Sequence, residues 1–103
     1  MVVHTPDPVK LLKAAADPTR YKALKDMVGG ESFSVVSLAW IFRVHQDTMG
    51  KHLKVLLEAG AVARIQPPGA DRRLQIYEVP ERCRRKGEDG CPMIDHGACL
   101  LRF

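Results

Sequence analysis

The first 82 residues contain no cysteine, and no stretch of the 103-residue chain is apolar for long enough to span a bilayer. The opening MVVHTPDPVK lacks the basic-then-apolar pattern of a secretory leader. The expectation is a soluble cytoplasmic protein with no membrane partner. The three cysteines are an odd number, which argues against a disulfide framework. Signs of catalysis are missing too. There is no phosphate-binding loop, no nucleophile elbow, no pair of catalytic carboxylates and no spacing that suggests a catalytic triad. The chain is expected not to be an enzyme and to carry no cofactor.

What is present is enough apolar material for one small domain. Hydrophobic residues make up 46% of the chain, so disorder throughout is excluded. The net charge of +4 is unevenly spread. Residues 1–42 carry five basic and four acidic groups, residues 43–86 ten and five, and residues 87–103 one and three. A positive surface concentrated between Arg43 and Lys86 attracts polyanions, nucleic acid first; the bland alternative is a basic protein without such a partner.

The order of elements can be followed along the chain. PVKLLKAAAD has Leu11, Leu12, Ala15 and Ala16 at helical spacing. Asp17-Pro18 then opens a second helix, with Asp17 as cap and Pro18 where its missing N–H costs nothing. Tyr21, Leu24, Met27 and Val28 form its expected buried stripe, and Gly29-Gly30 ends it. Ser34 is a plausible cap for a third helix with Val35, Leu38, Ile41 and Phe42 at helical spacing, and Trp40 is placed in the core, with partial surface or an anchor for a partner as the alternatives. A fourth helix spans residues 46–59, and Gly60 supplies its left-handed stop. AVARIQ and RRLQIYEV are two short strands around the turn cluster Pro67-Pro68-Gly69-Ala70-Asp71, a hairpin closed by Pro80. Helices followed by a hairpin predict a mainly α single domain of the winged helix-turn-helix class over residues 9–80. Residues 81–103 are expected to be an irregular, Gly-rich tail and not an independent domain.

On a helical wheel, Met49, Leu53, Leu56 and Leu57 of the fourth helix fall on one side. Asp47, Gly50, Lys51, Lys54 and Glu58 fall on the other. Gly inside a helix costs about 1 kcal/mol relative to Ala. A helix that must approach something bulky, such as the floor of the DNA major groove, justifies that cost; packing against the preceding helix is the alternative. Candidate DNA-binding residues follow. Gln46 can pair with adenine, Thr48 can meet a thymine methyl or a phosphate, and Asp47 can accept from cytosine N4 or complement the helix dipole. Lys51 and Lys54 suit phosphates. His52 is at the edge of the apolar side, either packed or on a phosphate. Arg72 and Arg73 at the hairpin suit the backbone or minor groove, with a solvated turn as the alternative. His45 stands at the cap position, where histidine is weak, so capping the helix and contacting DNA both stay open.

The segments LLKAAADPTRYKAL (11–24), SLAWIF (37–42) and TMGKHLKVLLEAGAV (48–62) together resemble the arsenical-resistance repressor (ArsR) family of bacterial winged-helix regulators, over roughly residues 9–79. The resemblance implies a homodimer that binds double-stranded DNA at a pseudo-palindromic operator, usually as a repressor. Its effector is unknown. Three departures stand out. The turn before the recognition helix reads Phe42-Arg43-Val44 where the family usually has a glycine. The Cys-x-Cys pair of metal-sensing members is replaced by Ser34 and Val36. The long C-terminal helix that often builds the dimer is absent from ERCRRKGEDGCPMIDHGACLLRF.

In that tail Cys83-x7-Cys91-x4-His96-x2-Cys99 offers four soft ligands, but without a Cys-x2-Cys knuckle no metal site is expected. Cys99 within ACLLRF reads as a buried small hydrophobe in a short strand or apolar clip, with Cys83 and Cys91 as free thiols or loop residues. A redox pair is the remaining option. A protein-binding module on the same fold, without specific DNA binding, is the alternative function, favoured weakly by Asp47 and Glu58.

Overall fold

The computed structural model describes residues 7–66, 69, 75–97 and 99–103. Its elements begin with α1 (Pro8–Ala15), α2 (Pro18–Met27), β1 (Phe33–Ser34), α3 (Val35–Phe42) and α4 (Gln46–Glu58). They continue with β2 (Ala63–Ile65), β3 (Ile76–Glu78), a short 3-10 turn (Glu81–Cys83), β4 (Arg84–Lys86), β5 (Pro92–Asp95) and β6 (Leu100–Arg102). No helix among the described residues is long and apolar enough to cross a membrane.

Each helix start has an identifiable acceptor. Asp7 and Asp17 cap α1 and α2, each followed by proline at the first helical position. The Asp17 carboxylate accepts from the backbone N–H groups of Thr19 and Arg20 at 2.9 and 3.1 Å. The Arg20 N–H, with the Arg20 guanidinium and His52 nearby, holds that carboxyl below its ordinary range. Ser34 and Ser37 form a reciprocal capping box at α3. α4 ends with Gly60 in the left-handed region at φ 82°.

Leu11, Leu24, Met27, Leu38, Met49, Leu53 and Leu56 are fully buried and join the four helices in one core. Two aromatic residues depart from expectation. Tyr21 is 42% exposed and packs on Phe103, with ring centroids 5.1 Å apart. Trp40 is 84% exposed, because Leu38 and Ala39 occupy the inward side of α3.

The wing hairpin pairs β2 with β3 antiparallel, Arg64 opposite Tyr77. β1 adds a third strand on the other side of β3, Phe33 opposite Tyr77, which the sequence pattern did not suggest. The tail is also more ordered than expected. Rather than an irregular segment, it forms a second antiparallel sheet in the order β4-β5-β6. Ile94 and Cys99 belong to the common core. Cys83 is buried there as well, as a free thiol.

Candidate nucleic-acid interface

The helix-turn-helix is made by α3 and α4 and the turn between them. The turn is unusual. Arg43 adopts φ 55° and ψ 44°, the left-handed conformation normally given to glycine. Its backbone N–H donates to Trp40 O at 3.3 Å, and the Val44 N–H donates to Ala39 O at 3.0 Å, so these two carbonyls of the last turn of α3 are satisfied. The chain then enters α4 through His45. That residue caps the helix after all: its Nδ1 accepts from the Asp47 N–H at 3.2 Å. Asp47 lies in the first turn, where its carboxylate complements the helix dipole.

Met49, Leu53 and Leu56 anchor the inner side of α4. The outer side presents Gln46, Asp47, Thr48, Lys51, Lys54 and Glu58, all exposed. Gln46, Asp47, Gly50, Lys51 and Lys54 line one wall of an open groove of about 690 Å³. Arg64 and Gln75 of the wing side line the same groove. The structure therefore brings five of the predicted residues to one surface and adds Arg64 and Gln75. Arg64 lies within the predicted strand AVARIQ, but nothing in the sequence gave its distance from α4.

Gly50 has no internal explanation. Among the described residues, a Cβ placed there would meet only Val35 Cγ1, at 4.0 Å, an ordinary contact. Packing against α3 thus does not require glycine. His52 lies off the groove. Its Nδ1 is 3.1 Å from Arg20 Nη1 and 3.9 Å from Asp17 Oδ2, and its side chain is mostly buried. Arg72 and Arg73 lie outside the described residues. Among the described residues, no three histidine, cysteine or carboxylate side chains gather as a metal site.

Solved structures resemble this arrangement. A structure described as a possible transcriptional regulator for arsenical resistance is 30% identical, with a TM-score of 0.60 and 71% of each chain covered. The transcriptional repressor BigR from Xylella fastidiosa is 28% identical, with a TM-score of 0.59, covering 72% of this chain and 70% of its own. HlyU from Vibrio cholerae N16961 is 25% identical, with a TM-score of 0.61, covering 71% of this chain and 74% of its own. No protein-family model and no curated protein matches the sequence.

Proposed function

This chain belongs to the ArsR family of winged-helix, DNA-binding transcriptional regulators, and from that premise we propose that it is a cytoplasmic repressor acting as a homodimer on a pseudo-palindromic operator. α4 enters the major groove. Gln46, Asp47 and Thr48 at its N-terminal end meet base edges, while Lys51 and Lys54 hold phosphates. The wing, with Arg72 and Arg73, lies on the backbone or in the minor groove. His52 orients α4 from behind or donates its free ring N–H to a phosphate.

The observation that carries this reading is the pairing of Gly50 with its surroundings. A helix-weakening residue stands mid-helix with space around it inside the molecule, flanked by two exposed lysines and faced by Arg64. A bulky polyanion supplies a reason for both the small residue and the charges.

The test is a fluorescence-anisotropy titration of the full chain with its own upstream duplex and with random duplex, across a salt series. The expected result is a preference for the upstream duplex and a steep fall in affinity with salt. Lys51→Ala should weaken binding to every sequence and reduce the log–log salt slope by about 0.9. Equal affinity for both duplexes at moderate salt would reject specific regulation.

A further inference from the structure

The helix before the recognition helix carries an apolar surface that no described residue covers. Trp40 is 84% exposed, and Val36 and Ile41 are about half exposed. With Arg43 and Gln46 they line a shallow hollow of about 700 Å³. Among the described residues, Arg43 is the only charged one in that lining. It is held at φ 55°, a left-handed backbone conformation that L-residues rarely adopt and that glycine adopts freely. Strain of this kind persists where the side chain has a use. The hollow is also continuous with the groove along α4, since Val36 and Gln46 line both. When a helix-turn-helix docks, its first helix crosses the DNA backbone while the second enters the groove. In this chain the first helix is α3, which bears Trp40.

We infer that the Trp40 hollow is a second DNA contact, in which Arg43 holds a backbone phosphate and Trp40 packs against the sugar edges flanking the major groove. This rests on the proposed DNA-binding reading. A lining whose one charge is positive suits a polyanion. Continuity through Val36 and Gln46 places the hollow where backbone must run if α4 occupies the groove. The contact adds affinity independent of base sequence and fixes the angle at which α4 enters.

Trp40 is the only tryptophan in the chain, so intrinsic fluorescence reports on this hollow alone. The full chain is titrated with its upstream duplex. Anisotropy of a labelled duplex follows binding, and acrylamide quenching with unlabelled duplex follows the cover on Trp40. At saturation the emission should shift to the blue and the quenching constant should fall at least about twofold, because a largely exposed indole becomes shielded. Arg43→Gly should lower the log–log salt slope by about 0.9, the loss of one phosphate contact, whereas Lys25→Ala on α2 leaves it unchanged. Saturable binding with unchanged Trp40 emission and quenching overturns the inference and leaves the DNA-binding reading standing. No duplex binding at all rejects both. Quenching that falls with protein concentration alone assigns the hollow to a second copy of the chain and also overturns the inference.

Discussion

Arg20 Nη1 lies 3.1 Å from His52 Nδ1, joining the start of α2 to the middle of α4. Arginine stays protonated and can only donate, so in this bond His52 Nδ1 is the acceptor. The same arginine donates from Nε to Ala14 O at 2.7 Å, at the end of α1. Its backbone N–H donates to Asp17 Oδ2. One side chain therefore ties α1 and α2 to the helix that lines the groove.

Arg20→Ala removes both side-chain bonds and should destabilise the fold by about 1.5 kcal/mol, the low end for bonds from a charged donor because the site is partly exposed. His52→Gln keeps an acceptor for Arg20 and should cost less. Urea unfolding of the two variants measures the difference. Equal losses would show that the histidine ring matters by packing and not as an acceptor.

Gly50→Ala separates folding from function. The space beside Gly50 accepts a methyl group, and alanine is the better helix former, so stability should rise by about 1 kcal/mol. Affinity for the upstream duplex should fall roughly tenfold, the size of one lost base contact. A variant that is more stable and binds DNA as tightly as the parent would remove the argument that Gly50 exists for close approach.

Arg43→Gly should also stabilise the chain. The left-handed conformation costs arginine roughly 1–2 kcal/mol, and glycine returns part of that gain through its freer unfolded state, leaving about 0.5–1 kcal/mol. The backbone bonds at Trp40 O and Ala39 O survive the change. Thermal unfolding gives the sign directly. A loss of stability would mean that the Arg43 side chain contributes more to the turn than its strain removes.

These residues show which features were legible in the sequence. α4 is long, strongly periodic and closed by Gly60, so its buried side was predicted nearly residue by residue. The caps at Asp17 and Ser34 were equally plain, because each fills an orphan N–H from a fixed position. Trp40 was misplaced for a definite reason. VVSLAWIF has one polar residue in eight, so period alone gives α3 no clear outer side, and tertiary packing decides. The tail sheet was missed because strands such as RRK and LLR are three residues long and do not alternate. The groove itself depends on how the wing returns beside α4, which no local pattern encodes.

His96 supplies a pH dependence from the tail. Its ring is buried, and Nε2 has no hydrogen-bond partner among the described residues. Burial lowers its affinity for a proton below the ordinary histidine value; the neighbouring Asp95 carboxylate opposes this, and Arg82 adds to it. An unfolded chain takes up a proton at His96 near pH 6.5, while the folded chain resists. The unfolded state therefore binds more protons in that window, and stability rises with pH across it. The contribution is complete above about pH 6.5 and is lost as the pH falls from there toward the point where the folded ring itself protonates. Urea unfolding at pH 7.5 and pH 5.5, where free carboxylates remain ionised, compares the parent with His96→Phe. The parent should lose more stability on acidification than the variant, by about 1.4 kcal/mol for each unit of depression. Equal losses would mean that the tail opens to water at His96 before its ring is ever charged in the folded chain.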